Sequence, residues 1–299
     1  MKNKILVEVC VDSVESALAA ELGGADRVEL CDNLMEGGTT PSFASIEIAR
    51  QRLKIGLHVI IRPRGGDFLY SDLEFEIMKR DIEIAKQIGV DGVVIGILDE
   101  YGSIDIARNR ELIQLAKPLS VTFHRAFDVT ANAQKSLNSL IDLGFERVLT
   151  SGQEATAFEG LETIAELVKT ADEKIIVMAC GSLNERNVRK FVEKTNVKEV
   201  HLTGFTKVQS QMKFRNERDY KIKNIYSLNS AFESSREALK KKEEELAGID
   251  EKYKVKVAEM RSQFQSQNEE LVSINKKYRS RIEDMKSKLA KQNEEFKAA

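Results

Sequence analysis

The chain predicts an α/β fold, a TIM-like (β/α)8 barrel, followed by a long α-helical coiled-coil segment. Eight short apolar runs recur at intervals of roughly 22–35 residues, the spacing of a strand, its crossover helix and the next strand, and a helical pattern follows each of the first seven. Within the runs the two faces differ in kind. Strand alternation sends i, i+2 and i+4 to one side, so Val7, Val9 and Val11 oppose Glu8, Cys10 and Asp12, and Val59 and Ile61 oppose His58 and Arg62. Such a set suits either a closed barrel or an open doubly wound sheet. The barrel is favoured, because an open parallel sheet is covered by apolar helices on both faces, whereas a barrel lumen tolerates polar side chains near its C-terminal mouth.

The runs are ILVEVCVD (5–12), RVELCD (27–32), LHVIIRP (57–63), GVVIG (92–96), SVTFHRAFD (120–128), RVLTSG (147–152), KIIVMACG (174–181) and KEVHLTG (198–204). They hold all three cysteines, Cys10, Cys31 and Cys180, and all three histidines, His58, His124 and His201, which the pattern places toward the C-terminal ends. Helix starts are expected at Asp12 with Glu15, at Thr40 before Pro41, and at Ser71 before DLEFEIMKRDIEIAKQIG. Gly23, Gly89 and Gly144 follow the last periodic residues, as left-handed C-terminal caps. The expected division is a barrel over 1–216, a linker over 217–227 and a coiled-coil helix over 228–299.

The 299 residues carry 46 Lys and Arg against 48 Asp and Glu, a balance that points to neither a nucleic-acid binder nor an acidic tail. The opening ILVEVCVDSVESALAAE is too charged for a signal peptide, and no run approaches a membrane span. A cytoplasmic protein is expected. Three widely spread cysteines, an odd number, do not form a disulfide framework, and a reducing compartment leaves them as thiols for metal or for packing.

One reading of the mouth is an active site for a small anionic metabolite bearing phosphate or carboxylate. His124 and His201, with His58, offer acid–base chemistry near neutrality; Glu8, with Glu29 and Asp12, offers carboxyls that crowding shifts. Arg62, Arg64 and Arg125 would hold the anion. Arg62-Pro63-Arg64-Gly65-Gly66-Asp67 is a stiff entry into a glycine turn. Ser151 ends the sixth run, and Gly181-Ser182 follows the seventh, near where such barrels commonly bind phosphate. The bland alternatives are a structural ion network filling the lumen and cysteines that serve as small buried hydrophobes. Neither a dinucleotide fingerprint nor a P-loop is present, nor His-Glu-x-x-His or paired Cys-x-x-Cys. A metal site assembled in three dimensions from Cys10, Cys31 and a histidine stays open.

EVCVDSVESALAAELGGADRVELCDNLMEGGTTPS (8–42), IRPRGGDFLYSDLEFEIMKRDI (61–82), VTFHRAFD (121–128), GFERVLTSG (144–152) and MKFRN (212–216) resemble the CutC family of copper homeostasis proteins, over roughly residues 3–216. The resemblance implies a TIM-like barrel, cytoplasmic placement, a role in copper handling, and Cu(I) ligands at Cys10 and Cys31. Cu(I) is soft and prefers thiolate sulfur, often with two or three ligands, and adjacent strands about 4.8 Å apart bring two sulfurs within range, although the layering of barrel lumens threatens to stagger them. Two departures stand out: Ala179-Cys180-Gly181 replaces the family's Pro-Gly-Gly, and its closing segment after Asn216 is absent.

In place of that closing segment, Val257, Met260, Phe264, Gln267, Leu271, Ile274 and Tyr278 step by threes and fours, and Ile282, Met285, Leu289, Gln292 and Phe296 continue them. Sustained heptads read as a coiled coil, with stutters at 253–257 and 278–282. A lone helix roughly 100 Å long at about 1.5 Å per residue needs partner helices, so a homo-oligomer or another helix is expected along 228–296. A scaffold with an inert barrel is the third functional reading.

Overall fold

The computed structural model describes residues 4–204 continuously. It also describes 206–208, 211, 213, 225–227, and helical residues at 256, 260, 265, 271, 275–277, 279–286 and 288. Eight parallel strands close into a barrel: β1 (Leu6–Val11), β2 (Arg27–Leu30), β3 (Gly56–Ile60), β4 (Gly92–Ile95), β5 (Ser120–Phe123), β6 (Arg147–Thr150), β7 (Ile176–Ala179) and β8 (Glu199–Thr203). Closure is made by β1 on β8, with Glu8 opposite His201 and Cys10 opposite Thr203. The predicted barrel is therefore the observed one. Seven helices alternate with the strands: α1 (Val14–Leu22), α2 (Phe43–Arg52), α3 (Asp72–Ile88), α4 (Ile106–Ala116), α5 (Ala133–Leu143), α6 (Leu161–Ala171) and α7 (Val188–Thr195). Short strands β9 (Thr206–Val208) and β10 (Ile225–Ser227) pair antiparallel.

The aliphatic strand faces and the helices form one continuous core, in which Val11, Val28, Leu57, Val59, Ile95 and Phe123 are fully buried. Burying one such side chain stabilises by about 1.5–3 kcal/mol, so this outer shell carries the fold and leaves the lumen free for polar groups. Helix caps explain where the elements begin. Ser71 caps α3 in a reciprocal box with Glu74, as its spacing predicts. At α1 the cap is Ser13, accepting from the Ser16 amide, and not Asp12; β1 continues through Val11, so the chain turns one residue later. At α2 the cap is Ser42, accepting from Ser45, two residues past Thr40, because Thr40 is held by the end of β3, its N–H donating to the Arg62 carbonyl. Gly89 and Gly144 take the left-handed conformation at φ 82 and 84, but Gly23 is right-handed at φ −75 and the turn passes to Gly24.

On the lumen-facing side of β4, Val94 packs with Cys10 and Cys31, while Gly92, and Gly96 just past the strand, make room for neighbouring rings. A Cβ on Gly92 would lie 2.5 Å from His58 Nε2, and one on Gly96 the same distance from His124 Cε1. Both rings are buried and walled in. Gly92→Ala is therefore expected to cost about 1–3 kcal/mol of stability, as overpacking of a filled core does; an unchanged urea midpoint would mean that His58 swings aside.

The chain divides into two units, Met1–Arg236 and Glu237–Ala299. Within the second, the described residues are helical, and among them Met260, Leu271, Ile282 and Met285, four of the predicted seam positions, are exposed. The rest of the predicted seam and the 217–224 part of the linker lie outside the described residues, as does most of MKFRN. No described helix is long and apolar enough to cross a membrane.

Candidate metal centre

β1 presents Glu8 and Cys10 to the lumen, and β2 presents Arg27 and Glu29, with Cys31 one residue beyond its end. The register pairs Cys10 with Glu29, so Cys31 stands diagonally across from Cys10. The two Sγ atoms nonetheless lie 3.6 Å apart, both buried. Stagger does not separate them: one residue past β2, Cys31 is still tied to β1, its N–H donating to the Val11 carbonyl. Two sulfurs at about 2.3 Å from one ion are at most about 4.6 Å apart, so this spacing fits joint coordination. Ligand atoms of Cys10, Glu29 and Cys31 all fall within 4.8 Å of one another, as do those of Glu8, Glu29 and His201.

Below the thiols the lumen is a charge network. His201 Nδ1 and Glu8 Oε1 are 2.7 Å apart, Arg27 Nε donates to the other Glu8 oxygen, and Arg27 Nη2 reaches Glu199 at 2.6 Å. Burial raises the Glu8 carboxyl, but the His201 hydrogen bond and the Arg27 charge outweigh it and hold the group ionised, below its ordinary range. Glu29 faces His201 Nε2 at 3.7 Å, but burial and the neighbouring Cys10 outweigh that attraction and push the carboxyl well above its ordinary range. Burial alone would lower His201, but the hydrogen bonds to Cys10 and Glu8 raise it well above its usual value. The hydrogen bond between the sulfurs holds Cys10 low and Cys31 high. One thiol of the pair is thus poised as thiolate, the form that binds metal. His58 is pushed down to about 3 by burial, as is His124.

His58 and His201 lie inside their strands and so sit deep in the lumen, whereas His124 and Cys180 stand one residue past β5 and β7. Cys180 joins Leu149 and Met178 in a separate cluster, where burial pushes its thiol up. The predicted anion residues divide. Arg62 donates through Nη1 to the Glu36 and Gly38 carbonyls and through Nη2 to that of Gly66, tying the loops after β2 and β3 together. Arg64 lies further out, on Glu74 and Asp67. Arg125 pairs with Asp128 at 2.8 Å and donates to Ser151 Oγ, while Asp128 also accepts from the Ser151 amide. Gly181 and Ser182 turn the chain after β7 at φ 99 and 58, and the Ser182 carbonyl accepts from Asn187 Nδ2.

Sequence reasoning passed over Arg27, Arg147 and Asp128. The first was legible: Arg27 is in phase with Glu29 and Cys31 at i, i+2 and i+4, and so had to face the lumen. Arg147 is likewise in phase with Leu149 and Ser151, and lies 3.3 Å from Glu199 through Nε. Asp128 follows the end of β5 in a short 3-10 helix, Arg125–Val129, where alternation gives no direction.

The fold and this site define a closed (β/α)8 barrel whose mouth joins two buried thiols over a carboxylate–histidine network. The chain belongs to the CutC family, whose profile matches residues 5–206. Among its relatives, the copper homeostasis protein cutC homologue of Homo sapiens is 50% identical over 214 residues, 72% of this chain and 78% of that one. A CutC family protein of Bacteroides fragilis is 50% identical over 218 residues, covering 73% and 86%. The crystal structure of a copper homeostasis protein CutC from Streptococcus agalactiae superposes with a TM-score of 0.64 at 38% identity, over 66% of this chain and 97% of that one.

Proposed function

We propose that this protein serves copper homeostasis by binding Cu(I) in the cytosol through Cys10 and Cys31. The observation that carries the reading is the 3.6 Å approach of two buried sulfurs from different strands. Cu(I) favours such a soft donor pair, where Mg²⁺ or Ca²⁺ would require oxygens. His201 and Glu8 stand behind the sulfurs as the outer shell that orients ligands and sets their basicity. The copper homeostasis names of the relatives agree with this role. The exposed seam residues of the C-terminal helix support a tethering or oligomerising tail, which leaves the barrel to do the metal chemistry.

The test is a titration of the reduced full-length protein with Cu(I) against a competing chelator, followed by X-ray absorption at the copper edge. One equivalent bound with two sulfur scatterers is the expected result. Binding no stronger than that of free cysteine, or a first shell without sulfur, overturns the proposal. A parallel zinc titration belongs in the experiment, because Glu29 gives the thiol pair an oxygen donor that zinc accepts.

A further inference from the structure

The thiol pair has two harder donors beside it. Ligand atoms of Cys10, Glu29 and Cys31 lie within 4.8 Å of one another, and Glu29 Oε2 faces His201 Nε2 at 3.7 Å. His201 in turn hydrogen bonds with Cys10, which closes a ring of contacts through all four side chains. The spacings are those of donors around an ion. Atoms about 2.0–2.3 Å from one zinc stand about 3.3–3.8 Å apart at tetrahedral angles. The two sulfurs are 3.6 Å apart, and the facing nitrogen and oxygen 3.7 Å. A direct N–H···O hydrogen bond would draw the latter pair to about 3 Å.

His201 is held in the orientation that a metal ligand needs. Its Nδ1 lies 2.7 Å from Glu8 Oε1, while Arg27 Nε donates to the other Glu8 oxygen, so Glu8 is fully engaged and acts as a positioning residue rather than a ligand. A neutral imidazole that donates from Nδ1 to a carboxylate presents its lone pair at Nε2, the carboxylate–histidine–metal arrangement of zinc sites. Nε2 is the nitrogen on the Glu29 side. Charge then selects the ion. Two thiolates and a carboxylate carry three negative charges, and in a buried lumen a divalent cation compensates them better than a monovalent one. Zinc accepts sulfur, nitrogen and oxygen in one tetrahedron, whereas Cu(I) is satisfied by the two sulfurs.

We propose that Cys10, Cys31, Glu29 and His201 Nε2 form a four-ligand Zn²⁺ site, with Glu8 positioning the His201 ring. The site shares its thiol pair with the copper reading, and Glu29 separates the two.

Zn²⁺ titration of the reduced full-length protein against a competing chromophoric chelator, with X-ray absorption at the zinc edge, tests it. One equivalent is expected to bind with a dissociation constant of about 10 nM or tighter. The first shell should hold two sulfur and two nitrogen or oxygen scatterers, with the outer-shell imidazole signature of one histidine. Glu29→Gln, which keeps the shape of the side chain, is expected to weaken Zn²⁺ at least about 10-fold, as losses at metal sites do, and to leave Cu(I) affinity unchanged. In His201→Gln the imidazole signature should vanish. Should that variant fail to fold, Glu29→Gln and the spectrum of the parent protein keep the proposal open to refutation. Cobalt(II) substituted for zinc should show the intense visible bands of a tetrahedral site, weakened in Glu29→Gln. Failure of Cu(I) to bind the parent protein would sink the copper reading and leave the zinc site standing. Zinc affinity that is equal in the parent and Glu29→Gln, a first shell of sulfur alone, or an equal loss of both metals in Glu29→Gln overturns the proposal.

Discussion

Arg27→Met is expected to remove about 3–5 kcal/mol of stability, the cost of deleting one partner from a buried ion network. Arg27 is 6% exposed and is shared between Glu8 and Glu199, which are 1% and 6% exposed. Methionine fills much of the same volume, so the loss reports charge more than cavity. In the variant, Glu8 keeps His201, and Glu199 keeps Arg147 at 3.3 Å, so neither carboxylate is wholly orphaned. Equilibrium unfolding in urea at neutral pH measures the effect. The pH dependence gives a second readout. In the native protein Glu8 is held below its ordinary value of about 4.3, so the stability it contributes is present above that pH and lost as pH falls toward the folded value. Without Arg27 the folded Glu8 rises toward its unfolded value, and the gap between variant and parent should narrow on acidification. A difference under about 1 kcal/mol at neutral pH would show that the lumen charges are solvated, contrary to their burial.

Cys10→Ser is expected to weaken Cu(I) binding by more than about 100-fold, because loss of an outer-shell partner alone already costs about 10–100-fold in metal affinity. Cys31→Ser should do the same, and Cys180→Ser should leave the affinity unchanged, since Cys180 packs in a different cluster with Leu149 and Met178. The three variants share one chemistry, thiol to hydroxyl in a buried site, so general destabilisation would strike all of them. A selective loss at Cys10 and Cys31 isolates coordination. Competition with a chromophoric Cu(I) chelator gives the affinities, and equal affinity in all three variants would remove the thiol pair from the copper reading.

The fold was legible because barrel formation is written in periodicities. Strand alternation, helix amphipathicity and the capping pair Ser71 and Glu74 are local signals, and seven of the eight strands fall within the expected runs, while β3 begins one residue early, at Gly56. Element ends were less legible. Asp12 and Ser13 are both good caps by residue type, and what chose Ser13 is the strand pairing that carries β1 through Val11. The same holds at Thr40, whose place against the Arg62 backbone comes from a contact 22 residues away.

For the site, alternation fixed which side chains enter the lumen, and hence that Glu8, Cys10, Glu29, Cys31 and His201 share one space. It gave no heights or distances. Those depend on how far each strand is displaced along its neighbour when the barrel closes, a property of eight pairings at once. Only closure brings Glu8 opposite His201, 193 positions later, and turns a lone glutamate into a held carboxylate. The sequence by itself determined a barrel with a polar, thiol-bearing interior, since burial and periodicity act residue by residue. The tertiary structure alone decided that the two sulfurs meet, that Arg62 is committed to the loops, and that Arg27 is the hub of the lumen. Contacts among side chains on separate strands exist only once the register of the whole cylinder is set.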